Sequence, residues 1–252
     1  MKVISLYNNK GGVAKTTTVL NVSYVLAHKG KRVLVADFDG QCNSTDFLME
    51  PVNKINGAEA ALISADAQPD SAVYHSRYNN IDILAATNKM NSVSGMLENI
   101  SQEQRIENAE KIIDRFSNDY DYMLIDLPPA LNTLTSTILA VSDIVFVPIE
   151  LSAFSIQGVA NVTDIISRSG VYFGGVFVTK FDKSNSADVQ MLELLKNSLG
   201  TKVLSSVIPY SNVIKNSISM RKVAAEYRWG KAASAYLKLT NEIERICKGG
   251  EE

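Results

Sequence analysis

The sequence predicts a doubly wound α/β domain, with a mostly parallel sheet of seven or eight strands and helices on both faces. Three observations support this. Strand-like and helix-like segments alternate along most of the 252 residues, the pattern of βα units assembled into one sheet. Several strand candidates are unbroken apolar runs, as expected where a parallel sheet is covered on both faces. Three of the runs end in glycine-rich or acidic clusters, and open parallel sheets bind ligands beyond the carboxyl ends of their strands. With 46% hydrophobic residues and 6 prolines, the chain has enough apolar surface for one large domain over residues 1–252 and no room for a long low-complexity tail.

The elements follow in order. Val3–Tyr7 is a first strand that runs straight into a glycine turn. Thr16–His28 reads as a helix stopped by Gly30, and Arg32–Asp37 as the second strand. From Asn43 to Asn80 the sequence is polar and less periodic, punctuated by Pro51 and Pro69, so an excursion outside the sheet is expected there, with a helix over Gly57–Ser64. Further strands are expected at Ile81–Ala85, Tyr122–Asp126, Ile144–Ile149, Gly174–Thr179 and Val203–Val207. Helices are expected at Gln102–Phe116, Thr133–Val141, Ile156–Arg168, Ala187–Leu199, Met220–Tyr227 and Lys231–Cys247. In the stretch before Gly200, Val189, Leu192, Leu195 and Leu199 form the apolar stripe of a helix packed on a sheet.

The first turn carries the chemistry. It reads Asn8-Asn9-Lys10-Gly11-Gly12-Val13-Ala14-Lys15-Thr16-Thr17. Glycines let backbone N–H groups curl around phosphate oxygens, while the helix that follows presents its positive end. Lys15 suits the β and γ phosphates of a nucleoside triphosphate, and the Thr16 hydroxyl suits Mg²⁺. The ordinary loop, G-x-x-x-x-G-K-[ST], would need glycine at positions 9 and 14, where Asn9 and Ala14 stand. An extra lysine, Lys10, precedes the glycine pair. A second cation in such a loop makes sense if it reaches phosphate held by another subunit. Asp37-Phe38-Asp39-Gly40-Gln41 closes the second strand and Ile125-Asp126-Leu127-Pro128-Pro129 a later one, so both acidic clusters are expected beside the phosphate loop.

These motifs resemble those of the deviant Walker A ATPases that partition plasmids and chromosomes, the ParA and Soj group, which is related to the cell-division protein MinD. The family loop KGGxxK[ST] is matched by Lys10–Thr16. The usual D-x-D-P-Q-G-N is matched by Asp37–Asn43, and the Walker B region by Leu124–Pro129. Similarity continues through Ala140–Phe154 and into Ile208-Pro209. The resemblance implies a P-loop NTPase fold with ATP and Mg²⁺ as cofactors. It gives Lys10 the role of a signature lysine crossing a homodimer interface, with Lys15 and Thr16 as the primary phosphate and metal site. Asp39 would orient or activate the attacking water near the γ phosphate and join the metal site, and Asp126 would hold Mg²⁺ through water or position the switch that follows. Gly11, Gly12, Val13, Ala14 and Thr17 complete the loop, and the base would lie against Thr179-Lys180 and Pro209-Tyr210-Ser211. The guanine-reading pattern N-K-x-D is absent, because Thr179 stands where asparagine would be needed. Three departures stand out: Ala14 replaces the usual glycine, Gly40 the usual proline and Cys42 the usual glycine. Alanine at a position of positive φ would cost roughly 1 kcal/mol.

Charge is unevenly placed. Residues 201–252 hold 9 Lys and Arg against 5 Asp and Glu, whereas residues 1–200 hold 16 against 22. Within 202–231 the basic residues Lys202, Lys215, Arg221, Lys222, Arg228 and Lys231 face the single acid Glu226. The resemblance implies non-specific double-stranded DNA as a partner of this region, with Lys215, Arg221, Lys222 and Arg228 as candidate contacts. It also implies a ParB-type partition protein as partner. No N-terminal segment able to house a helix-turn-helix is expected, since the nucleotide motif begins by residue 8. Cys42 and Cys247 are too few for a disulfide framework and lack metal-type spacing, which points to a reducing cytoplasm, and the DNA reading adds nucleoid association. No signal-like leader or long apolar run is present, and the terminal acids Glu251 and Glu252 disfavour stable membrane association. The alternative is a nucleotide-gated scaffold, or a MinD-like membrane-associated ATPase, with little hydrolysis of its own.

Overall fold

The computed structural model describes residues 1–50, 55–152, 155–227 and 230–249. Its strands and helices, in chain order, are β1 (Lys2–Leu6), α1 (Lys15–His28), β2 (Val33–Asp37), α2 (Asn43–Leu48), α3 (Glu59–Ile63), β3 (Val73–His75), β4 (Ile81–Leu84), α4 (Met90–Leu97), α5 (Gln102–Phe116), β5 (Tyr122–Asp126), α6 (Thr133–Ala140), β6 (Ile144–Glu150), α7 (Ser155–Ser169), β7 (Tyr172–Phe181), α8 (Ser186–Leu199), β8 (Val203–Pro209), α9 (Asn212–Ser217) and α10 (Lys231–Cys247). The eight strands form one sheet in the order β3-β4-β2-β5-β1-β6-β7-β8. All neighbours run parallel except β3, which pairs antiparallel with β4.

Alternation along the strands builds two cores. In β2, Leu34 and Ala36 join one cluster with residues of α3 to α7, including Leu62, Val93, Ile112, Ile138 and Val162. Val33 and Val35 point the other way, into a cluster with α1, α2 and α10, including Leu20, Phe47, Tyr236 and Leu239. Successive side chains of a strand face opposite sides, so an unbroken apolar run serves both layers. That is why the central strands lack a polar face. Near the far edge, the β6–β7 register shifts between Val145 and Phe146. There Gly175 adopts φ +126°, and a Cβ on it would meet the Lys202 carbonyl oxygen at 2.6 Å. Only glycine allows that approach.

Several expectations need correction. The Asn43–Asn80 stretch does not lie wholly outside the sheet: Val73–His75 adds an edge strand, and α2 places Phe47 and Leu48 in the core. No α-helix covers Met220–Tyr227 among the described residues. The chain instead makes a turn in which Arg221 has φ 49°, followed by a short 3-10 segment at Ala224–Glu226. A left-handed residue ends helical hydrogen bonding. The helix of this region comes earlier, at α9, where the Ser211 side chain accepts from Val213 N at 3.2 Å. Helix α4 was missed, although Met90, Val93 and Leu97 give it an apolar face.

Candidate nucleotide site

Sheet order assembles the site. β5 lies between β2 and β1, so Asp37 pairs in register with Asp126, and Asp126 with Leu6, the last residue of β1. Three strand ends therefore meet at one edge of the sheet.

The phosphate loop is held from below. Asn8 is buried, donating from Nδ2 to Pro148 O at 2.8 Å and accepting from Lys10 N at 2.9 Å. Thr179 Oγ1 lies 3.2 Å from Val13 O and 3.0 Å from Ile149 O. Lys15 is buried, and its ammonium donates to Asn8 O at 3.0 Å and Lys10 O at 3.3 Å. Burial pulls the Lys15 pKa below the usual lysine value, and the charges of Asp126 and Asp39 oppose that shift. Lys10, by contrast, is exposed. Two lysines of one loop thus occupy opposite environments.

The carboxylates are layered. Asp37 is fully buried and accepts from Asp39 N at 3.1 Å and from Thr45 N and Oγ1 at 2.9 Å each. Asp126 Oδ2 accepts from Ser44 Oγ at 2.8 Å, while its buried Oδ1 has no partner among the described residues. Burial pushes both carboxyls up: Asp37 to about 7, with the Asp126 charge adding to the effect, and Asp126 in the same direction, restrained by hydrogen bonds from Ser44 and Thr16. Asp39 is half-buried, its Oδ1 accepting from Gln41 N at 3.0 Å. Among the described residues no group of three or more His, Cys, Asp or Glu could hold a metal alone. Mg²⁺ is usually held by one or two carboxylates together with waters and phosphate oxygens. The Thr16 hydroxyl beside Asp126, and the unpartnered Oδ1, fit that demand.

A cleft of about 640 Å³ opens over these groups. Its lining includes Gly11, Gly12, Ala14, Lys15, Thr16, Thr17, Asp39, Thr179, Lys180, Pro209 and Tyr210, so most of the residues expected to touch nucleotide are brought together. Val13 is buried beneath the loop and Asp126 lies behind the cleft. Sequence reasoning missed Glu150, Ile214, Ile218 and Tyr236, which also line it. Their spacing signals only packing, and it is the fold that turns them inward. Lys180 pairs with Glu150 at 3.0 Å.

The residues named for DNA contact are scattered. Lys215 lines the cleft, Lys222 is exposed, and Arg221 directs Nη2 to Asp46 O at 2.7 Å and to Met49 O. Arg228 lies outside the described residues. A larger groove, about 1030 Å³, runs between β8 and α10; it shares Pro209 with the cleft but contains none of the phosphate-loop residues or strand-end carboxylates. Size alone does not mark the site.

Backbone strain marks it instead. Ala14 adopts φ 68° and ψ 34°, Cys42 φ 54° and Lys180 φ 54°, all non-glycine residues in the left-handed region around the cleft. Such outliers persist where surrounding structure over-determines them, often at functional sites. Burial and nearby acids push the Cys42 thiol up to about 12, which makes it a neutral side chain rather than a nucleophile.

Comparison with known proteins agrees with this geometry. An AAA domain family model matches residues 1–170. The sporulation initiation inhibitor Soj of Bacillus subtilis is 29% identical over 250 residues, spanning 96% of this chain and 98% of Soj. The chromosome partitioning protein ParA of Caulobacter vibrioides is 30% identical over 251 residues, spanning 96% and 94%. The chain belongs to the ParA/Soj/MinD family of deviant Walker A ATPases. Cobyrinic acid a,c-diamide synthase from Mycobacterium smegmatis, solved with ADP and magnesium, superposes with a TM-score of 0.84 at 25% identity, covering 100% of this chain and 97% of that one. The MinD protein of Pyrococcus horikoshii, 22% identical with a TM-score of 0.80, shares the fold. This family member is a P-loop ATPase that uses ATP and Mg²⁺. A bound metal would supply charge neutralisation at the phosphates, and the loop residues with Lys15 are the groups this chain turns toward the cleft where phosphates would lie.

Two outcomes follow from the site. Ala14→Gly relieves about 1 kcal/mol of strain, part of it offset by a freer unfolded chain, so melting should rise slightly. Ala14→Val should cost more than about 1 kcal/mol and weaken ATP binding; an equally stable valine variant would contradict the strain. Second, because the folded-state pKa of Asp37 lies above its unfolded value, the folded protein binds the extra proton. That contribution is present below about pH 4 and is lost as pH rises through about 7. The nucleotide-free protein should therefore melt at progressively lower temperature across this window, and Asp37→Asn should flatten the trend.

Proposed function

We propose that the chain is a partition ATPase whose ATP-bound form pairs two copies and binds duplex DNA without sequence preference, with hydrolysis stimulated by a ParB-type partner. The observation that carries this reading is the division between the two loop lysines. Lys15 is buried and satisfied by its own loop, whereas Lys10 is exposed and does not line the cleft itself but stands at its rim, next to Gly11, which does. An exposed cation at that rim is positioned to meet phosphate held by a second copy, adding charge neutralisation that one chain lacks.

The ParA and Soj relatives are named for chromosome partitioning and sporulation control, and partitioning of plasmid or chromosomal DNA at the nucleoid is the role this chain would share. Lys222 and Lys215 are the exposed cations of the basic stretch best suited to phosphate contact. The MinD-like alternative asks α10 to offer an apolar face to lipid, but Ala232, Tyr236, Leu239 and Ile243 are buried against the body. No helix among the described residues is long and apolar enough to cross a membrane.

Lys15→Ala should abolish ATP affinity, while Lys10→Ala should leave a monomer that binds ATP and does not pair. Calorimetry and light scattering separate the two, and equal loss of ATP binding in both would defeat the division of roles. Asp39→Ala should trap the ATP-bound pair with little turnover. DNA binding measured with ATP, with ADP and without nucleotide across a salt series tests the rest: affinity should appear with ATP and Mg²⁺, be equal for unrelated duplexes and fall steeply with salt. Lys222→Ala should weaken all duplexes alike and lower the salt slope by about 1. Preference for one operator, or binding independent of ATP, would overturn the proposal.

A further inference from the structure

The loop that carries Asp39 contains a glycine where the family has proline, and the structure shows what occupies the freed space. A Cβ built on Gly40 would lie 2.2 Å from Asn91 Oδ1 and 2.4 Å from Asn91 Cγ. The same amide donates from Nδ2 to Gly40 O at 3.2 Å and to Asn88 O at 3.0 Å. Both partners are carbonyl oxygens, which sets the orientation of the amide.

Asn91 is well placed to restrain this loop. It rides on α4, which is anchored by buried Met90, Val93 and Leu97. The segment before it is fixed to the core, since Glu59 Oε1 accepts from Thr87 N at 2.5 Å and Thr87 Oγ1 at 2.8 Å. Ala86 N donates to Thr45 Oγ1 at 3.0 Å, clasping the far end of the β2–α2 loop. Asp39 itself is held only locally: its N–H donates to Asp37, its Oδ1 accepts from Gln41 N, and its carbonyl accepts from Cys42 N at 2.9 Å. Among the described residues, the bond from Asn91 is the one that ties positions 39–42 to an element beyond the flanking β2 and α2, which hold the loop through Asp37 and through Asp46 N on Cys42 O. Proline would stiffen this loop through its fixed φ; glycine leaves it free.

We infer that Asn91 is a positioning residue for hydrolysis, gripping Gly40 so that the neighbouring Asp39 carboxylate is held toward the cleft. The inference rests on the reading of Asp39 as the residue that orients the attacking water, and the test separates the two.

Single-turnover hydrolysis of Mg²⁺-ATP, ATP affinity and melting temperature are measured on the full chain for Asn91→Ala, Asn91→Asp, Gly40→Ala, Gly40→Ala/Asn91→Ala and Asp39→Ala. Asn91→Ala should slow hydrolysis by several-fold to roughly 10²-fold, the scale on which small displacements of a catalytic group act, with ATP affinity and melting close to the parent. The isosteric Asn91→Asp, which has no donor, should be no better. Gly40→Ala pushes the amide aside and should lose a similar factor, and the double variant should be no slower than either single, because one interaction is lost in each case. Normal turnover in Asp39→Ala would remove both the reading and the inference. A dead Asp39→Ala beside a fully active Asn91→Ala would remove the inference alone. Loss of ATP affinity or melting temperature in step with the rate would make Asn91 merely structural and overturn it, as would additive losses in the double variant.

Discussion

The pairing of β2 with β5 is the constraint on which the site depends, because it sets Asp37 and Asp126 side by side at the edge of a dry sheet. Two buried carboxyls repel, and burial penalises each charge. The surroundings respond with donors: Thr45 to Asp37, Ser44 and Thr16 to Asp126, and the Lys15 ammonium nearby. Every one of those donors sits on α1 or α2, the two helices that begin directly after the phosphate loop and the Asp39 loop. The carboxyl pair therefore ties both loops to one point. Removing the Asp126 carboxyl would free donors on both helices at once, and removing Asp37 would free Thr45 and the Asp39 N–H.

Strain and restraint follow the same geography. Ala14 and Cys42 are the N-terminal flanking residues of α1 and α2, and both take left-handed angles without a side-chain cap. Glycine would adopt those angles at less cost. The residues are retained by what holds the loops on either side: Asn8, Lys15 and Thr179 around the first, Asp37, Thr45 and Asn91 around the second. Each loop is held both by its own residues and by other elements, Pro148 and Thr179 for the first and Asn91 for the second.

This explains what could be read from the sequence. The βα alternation and the three strand-end motifs are local patterns, and they led correctly to the parallel sheet and to most of the cleft. α5 and α10 were legible to the residue because amphipathic periodicity and clear stops bound them. β3 is three residues long and makes sense only as a partner of β4, so no window around Val73 announces it. The region after Ser211 misled because Met220–Tyr227 looks helical in composition, while Arg221 is turned aside to bind carbonyls at the end of α2. The Asn91 contact joins positions 51 apart. Pairing of that kind leaves no mark in a single sequence beyond an unexplained glycine.

The charges lining the cleft suggest why a second lysine belongs in this loop. Asp126 and Asp39 act on the one buried ammonium, that of Lys15, while Lys180 is already paired with Glu150 and Lys215 stands exposed on the cleft wall. A triphosphate brought into such a site adds further negative charge where the local dielectric is low and repulsion is poorly screened. One lysine does not balance it. Mg²⁺ supplies part of the deficit, and the exposed Lys10, free to extend beyond its own loop, is suited to supply more when a second copy approaches. On the proposed pairing, the same imbalance would weaken nucleotide binding by an isolated chain and strengthen it in the pair, so the electrostatics of the cleft would couple ATP binding to association before any contact between the two copies is considered.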